Sequence, residues 1–287
     1  MATNLWRDVE ALMRLSRSAR DLEEDGAVEA GEGAPGDGSG LLPSSDRGTF
    51  QIATRELPAR VVSGDLADAF DLPGGEVALV LADVSGKGIP AGVLRAFTRS
   101  IVRHVAHCSG TPGETLARVN GILYDARLDA MFVSLFLGWL DPLTGHLRYA
   151  NAGHPSPLRF AAGVPPEPFA AATGPILGIL ALREFATGEV HLHRGETMLL
   201  YTDGVAEARN PAGRFLGTRP LATLLARHAV DPLDGLCGEV AQAVDDFQGG
   251  RRHDDATLLA LRWLGSGAQD WEEATTPSRM SESGRRR

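Results

Sequence analysis

Four aspartates in this chain share one local arrangement. Asp65 closes Val61-Val62-Ser63-Gly64-Asp65, and Asp83 follows the apolar run Ala78–Ala82 and opens Asp83-Val84-Ser85-Gly86-Lys87-Gly88. Asp203 follows Met198-Leu199-Leu200-Tyr201-Thr202 and precedes Gly204, and Asp254, with Asp255 behind it, leads into Ala256–Leu261. Each puts carboxylate oxygens at the end of an expected strand, where the backbone is rigid. A carboxylate beside a core costs free energy unless it is paired. Several of them meeting at one sheet end repel and raise one another's pKa. Divalent cations resolve that conflict, and all-oxygen donors select hard ions, Mg²⁺ or Mn²⁺ before zinc. A single Asp-Gly after a strand is usually only a turn; the joint order of the four segments carries the reading. Gly86-Lys87-Gly88 is not a P-loop, because Gly-x-x-x-x-Gly-Lys-Ser/Thr is not satisfied.

The elements that must hold these aspartates follow from periodicity. Strands are predicted at 48–54, 60–65, 76–83, 131–139, 147–151, 157–160, 196–201 and 256–263. Helices are predicted from Ile89 to His107, Thr111 to Ala126, 218 to 228 and 233 to 247. Pro90 is tolerated in a first turn, and Pro112 and Glu114 favour a helix start. Asp141–Gly145 reads as a turn between strands. Strands and helices come in blocks rather than in strict alternation, which favours α+β layers over a doubly wound parallel sheet.

Outside that domain, expected at 41–264, Leu5, Val9, Leu12, Met13 and Leu15 have helical spacing, so residues 1–23 read as a short amphipathic helix. Residues 24–40 are Gly-, Glu-, Asp- and Ala-rich and read as a flexible linker. The polar segment 265–287, ending in three arginines, reads as a disordered tail. The chain has 287 residues, 43% of them hydrophobic, enough for one large core or two modest ones. A net charge of −9 argues against nucleic-acid binding, which relies on Lys and Arg. Cys108 and Cys237 have no zinc or CxxC spacing and read as reduced, partly buried thiols. No signal peptide is expected, since Arg7, Asp8 and Glu10 stand where an apolar core is needed. No apolar run reaches the roughly 20 residues of a membrane span, and the reading is cytoplasmic.

Several segments resemble the signatures of PPM-type (protein phosphatase 2C-like) serine/threonine phosphatases of the SpoIIE/RsbU-like bacterial branch. They are Asp83-Val84-Ser85-Gly86-Lys87-Gly88-Ile89-Pro90-Ala91, Tyr149-Ala150-Asn151-Ala152-Gly153-His154-Pro155 and Tyr201-Thr202-Asp203-Gly204-Val205-x-Glu207-Ala208. Leu41-Leu42-Pro43, Pro58-Ala59 and Asp254-Asp255-Ala256-Thr257-Leu258-Leu259 fall in the same order. The resemblance implies a four-layer αββα sandwich of two antiparallel sheets, with a metal site in a cleft at one end. It implies two cations, Mn²⁺ or Mg²⁺. Asp83 would bridge them, the Val84 carbonyl would complete one shell, and Asp203 and Asp254 would bind the first. Asp65 would serve the second directly or through water. Asp255 is set aside, because its side chain should point the other way if a strand begins there. The chain departs from the pattern at Leu66-Ala67-Asp68, where two aromatics and an Asp are common.

The implied activity is hydrolysis of a phosphoserine by a two-metal-activated hydroxide, with no Cys-x5-Arg nucleophile loop in the chain. The implied substrate is a regulatory protein, a STAS-domain anti-anti-sigma factor. Residues 4–23 could dock on an activator, pair with themselves or pack on their own domain. Lys87, Arg252 and His154 are candidate substrate contacts. Each has a structural alternative: a solvated helix entry for Lys87, a solvated loop for Arg252, and a hydrogen-bonded turn with Asn151 for His154. Two other functions remain open at this point. One is a regulatory module that binds without turnover, and the other is a nucleotide-binding enzyme using Gly86-Lys87-Gly88.

Overall fold

The computed structural model describes residues 45–59, 62–86, 88–126 and 131–266. The expected helix at 1–23, the linker at 24–40 and most of the tail lie outside the described residues, as does Lys87.

Two antiparallel sheets form the centre. One runs β1 (Ser45–Asp46), β2 (Phe50–Leu57), β11 (Ala256–Trp263), β10 (Thr197–Tyr201), β7 (Leu158–Ala161) and β8 (Val164–Pro168). The other runs β3 (Leu66–Asp71), β4 (Val77–Val84), β5 (Val133–Leu140), β6 (His146–Ala152) and β9 (Gly188–His191). Helices α1 (Gly88–Ala106) and α2 (Pro112–Asp125) cover the second sheet. A four-residue turn, α3 (Asp203–Ala206), follows β10, and α4 (Thr218–Arg227) and α5 (Leu233–Gln248) cover the first sheet.

Alternation along the strands builds three apolar layers. Val77, Leu79 and Leu81 of β4 meet Met198 and Leu200 of β10 and Leu259 and Leu261 of β11 between the sheets. Ala78, Val80, Ala82 and Val84 turn the other way, onto Leu94, Phe97 and Ile101 of α1. Leu199 and Tyr201 of β10, with Leu258 and Ala260 of β11, face Leu236 and Val240 of α5. This is the αββα sandwich that the motifs implied.

Most predicted elements stand within two residues of their expected bounds. Thr111 caps α2 by accepting the Glu114 N–H at 3.1 Å, as the Thr-Pro-Gly-Glu start suggests. Of the strand expected at 60–65, the described residues 62–65 form none. The described residues 62–65 lead into the second sheet, whose strand begins at Leu66. Val62 packs instead against Gly92 of α1, where a Cβ would stand 2.4 Å from its Cγ1. The short strands β8 and β9, and β3 itself, carry too little apolar alternation to be read in advance. Cys237 is buried, with its thiol pushed up to about 12 by desolvation, whereas Cys108 is exposed rather than partly buried.

Candidate active site

The four aspartates converge because strand parity carries them to one end of the layer between the sheets. Asp83 continues the inward series Val77, Leu79, Leu81 at the last turn of β4. The β3–β4 register pairs Leu66 with Ala82, which sets Asp65, one residue before β3, opposite Asp83. Across the layer, Thr202 continues Met198 and Leu200, and Thr257 precedes Leu259 and Leu261. Asp203 then opens α3, and Asp254 stands two residues before β11.

Asp65 forms the floor. It is 1% exposed, and its Oδ2 accepts the Thr202 hydroxyl at 2.8 Å. Thr202 Oγ1 in turn accepts the Thr257 N–H at 2.9 Å. Burial, followed by the charge of Asp83, pushes the Asp65 carboxyl well above its ordinary value, against the stabilising hydroxyls of Thr257 and Thr202. Above it, Asp83 is pushed up to about 7 by burial first, then by Asp203, Asp254 and Asp255. Asp203 is raised by burial, Asp254 and Glu207, with the Gly204 N–H opposing. None of the four aspartates forms an ion pair with a described Lys, Arg or His.

Two glycines and Asp255 set the walls. A Cβ on Gly204 would lie 1.8 Å from the Asp255 carbonyl oxygen, so only glycine lets α3 pass this close to the start of β11. A Cβ on Gly64 would lie 2.8 Å from the Val84 carbonyl oxygen. Asp255 accepts the Ala59 N–H at 2.7 Å and the Gly64 N–H at 3.1 Å, clamping the crossing segment over the site. Asp254, its neighbour, is exposed and lines the cleft with Asp203.

The donor set is all oxygen, electrostatically strained and, among the described residues, free of basic partners, which is the chemistry that a hard divalent cation relieves. No group of three or more His, Cys, Asp or Glu among the described residues already stands close enough to hold an ion. Within this chemistry the residues fit a cation that draws Asp83, Asp203 and Asp254 together.

Two expected substrate contacts are corrected. His154 is buried, with Nδ1 2.9 Å from Ser134 Oγ, and burial pushes its imidazole down to about 3, against the Tyr201 carbonyl. Its backbone N–H donates to Asn151 Oδ1 at 2.8 Å, and Asn151 Nδ2 donates to the His154 and Ala170 carbonyls, so this motif is a structural turn. Arg252 spends its donors on both Asp245 oxygens, at 2.8 and 2.7 Å, and on the Pro58 carbonyl at 3.2 Å. Thr202, Thr257 and the clamp role of Asp255 were not read from the sequence. The parity of Thr202 with Leu200 and of Thr257 with Leu259 is the signal that pointed to the first two.

Two sheets face to face under paired helices, with an acidic, unpaired end to the layer between them, define a PPM-type, protein phosphatase 2C-like domain. The chain belongs to the SpoIIE family: residues 73–264 match the family of stage II sporulation protein E. It is similar to protein IcfG of Synechocystis, 33% identical over 255 residues, covering 77% of this chain and 39% of that protein. It is also similar to the phosphoserine phosphatase RsbU of Bacillus subtilis, 27% identical, covering 74% of this chain and 63% of RsbU. The chain thus spans about two fifths and three fifths of these curated relatives. Among solved structures, the RsbU and RsbW domains of Rv1364c from Mycobacterium tuberculosis superpose with a TM-score of 0.67 at 28% identity. That match covers 76% of this chain and 61% of the other.

Proposed function

We propose that this protein is a metal-dependent phosphatase that removes phosphate from a phosphoserine of a regulatory partner protein, a STAS-domain anti-anti-sigma factor being the favoured substrate. The carrying observation is the acidic end of the inter-sheet layer, where Asp83, held near 7 by burial and by Asp203, Asp254 and Asp255, has no basic partner among the described residues. Asp83, Asp203, Asp254 and the Val84 carbonyl would hold two divalent cations, Mg²⁺ or Mn²⁺, with Asp83 shared between them. Asp65 sits behind Asp83 with one oxygen on Thr202, which favours service to the second cation through water. Bound there, divalent cations supply charge neutralisation for the phosphoryl group and acidify water near neutral pH. The chain's own part is to hold the carboxylates at the ends of packed strands, to keep the Asp65–Thr202–Thr257 floor dry, and to leave the cleft open on the side of Asp254.

The same observation on donor spacing favours a second reading. Since no three donors among the described residues stand at metal-holding distance, the domain could act as a binding module in a partner-switching pathway with little turnover. Release of inorganic phosphate from phosphoserine-bearing STAS proteins separates the two readings, with p-nitrophenyl phosphate and Mn²⁺ as a simpler substrate. Turnover that EDTA stops and Mn²⁺ or Mg²⁺ restores supports the hydrolase. A folded, cation-bound protein inert on both substrates leaves only the module. Among the described residues no helix is long and apolar enough to cross a membrane. Residues 4–23 are proposed as the contact for an activator or a second copy; a mass that stays monomeric at all concentrations would remove the second of these.

A further inference from the structure

The cleft continues past Asp203 and Asp254 into a small pocket of about 210 Å³, lined by Gly204, Glu207, Arg209, Gln248 and His253 besides those two aspartates. Two of its side chains, Arg209 and Gln248, carry polar groups that no described residue hydrogen-bonds. Arg209 is exposed and forms no ion pair with any described residue, although three carboxylates line the same pocket. Its guanidinium lies over the Phe215 ring at 4.8 Å from the centroid. That ring is itself placed by a tight hairpin. Asn210 Oδ1 accepts the N–H groups of Ala212 and Arg214 at 3.1 and 2.9 Å, and Leu216 N–H donates to the Ala208 carbonyl at 2.9 Å. A guanidinium supported on an aromatic face keeps its planar fork ordered while its N–H groups stay available.

Gln248, at the last residue of α5, is 4% exposed, and its Oε1 has no hydrogen-bond partner. The atom shut off from the surface is Oε1, so the donor end of the amide, Nε2, is the one that reaches the pocket.

We infer that this pocket is the phosphoryl-anion subsite, in which Arg209 and Gln248 hold the non-bridging oxygens of the phosphate beside the cation-binding aspartates. The proposal rests on the phosphatase reading and adds the residues that receive the anion. Arg209 supplies a charge-assisted fork matched to phosphate, and Gln248 supplies one amide hydrogen bond. The acidic pocket accepts an anion only once cations neutralise Asp203, Asp254 and Asp83. Anion affinity is therefore coupled to the cation, and the order of addition is cation first.

Calorimetric titration of inorganic phosphate into the full chain, with and without saturating Mg²⁺, tests this without reference to turnover. Phosphate binding that requires Mg²⁺ is expected in the wild type. It is expected to weaken by about ten- to hundredfold in Arg209→Ala, less in Arg209→Lys, and by about tenfold or less in Gln248→Met. Mg²⁺ affinity and melting temperature should not move in the Arg209 variants, whereas a merely structural arginine would shift the melting temperature. Phosphate affinity in Arg209→Ala equal to that of the wild type overturns the subsite. If the wild type binds phosphate through Arg209 yet hydrolyses no phosphoserine substrate, the subsite stands and the phosphatase reading fails.

Discussion

Asp65 and Asp68 lie three residues apart, and each is 1% exposed, yet the fold treats them in opposite ways. Asp68 sits inside β3 with the parity of Leu66 and Phe70, which face α1. There Arg99 reaches it at 3.1 and 3.3 Å and Arg103 at 2.5 and 2.6 Å, and Asp68 in turn holds the Arg103 guanidinium above its ordinary value. Asp65 has the opposite parity, toward the layer between the sheets, where its side chain finds the hydroxyls of Thr202 and Thr257 and the like charge of Asp83. Equal burial therefore says nothing about role. A buried carboxylate answered by two arginines is a structural tie between strand and helix. A buried carboxylate answered by other carboxylates carries excess negative charge, which a retained proton or a bound cation offsets. The two are linked through α1, since Arg95, one turn before Arg99, donates to the Asp65 carbonyl at 3.1 Å.

The contrast is broken most sharply at Asp83. Asp83→Asn is expected to cut phosphoserine turnover by about a thousandfold, since several kcal/mol of charge stabilisation are lost, while the domain stays folded. Full turnover in that variant would end the metal-site reading. The same variant tests the electrostatics without substrate. Asp83 titrates near 7 in the fold and near 3.8 when unfolded, so between those values the unfolded chain has released a proton that the fold retains. Cation-free wild type should therefore lose a few kcal/mol relative to Asp83→Asn as pH rises from about 4 to 7, with the contribution fully present below that window. Denaturant melts in EDTA across that range measure the difference, and a flat difference contradicts the assignment.

Next in size is the wall of the site. Gly204→Ala forces a Cβ against the Asp255 carbonyl oxygen, 1.8 Å away, and should cost about 3 kcal/mol in urea unfolding as the clamp on Ala59 and Gly64 shifts. Asp68→Asn and Asp65→Asn then sharpen the comparison directly. Asp68→Asn should destabilise the cation-free protein by about 2 kcal/mol, at the low end for a broken buried pair because both arginines are partly exposed. Asp65→Asn should leave it unchanged or more stable. Equal losses would show that the two carboxylates are equivalent after all. The smallest effect is expected at Thr202→Val, about 1 kcal/mol for the hydrogen bonds to Asp65 and Thr257, read as a shift in thermal midpoint.

Much of this was legible in the amino-acid order. Alternation in β4, β10 and β11 marked the strands, and the Thr111 cap and Pro112 marked a helix start, because these signals are local. The order of the Asp-Gly segments marked Asp83, Asp203 and Asp254 as a set, and strand parity set Asp255, which accepts the Ala59 and Gly64 N–H groups, apart from Asp254. His154 and Arg252 looked available for substrate because nothing local shows that Ser134 and Asp245 engage them. The apolar pair Val61-Val62 suggested a strand because composition does not reveal where a chain leaves one sheet for another.

By itself, then, the sequence determined which residues alternate, which can bind a hard cation, and which family pattern they follow. Only the tertiary structure decided that Asp65 meets Thr202, 137 positions away, while Asp68 meets Arg99 and Arg103. The reason is physical. Backbone periodicity assigns a side chain to a face within a few residues, but the charge of a buried carboxylate is settled by whatever element packs on that face, and packing partners are set by the closure of the whole sandwich.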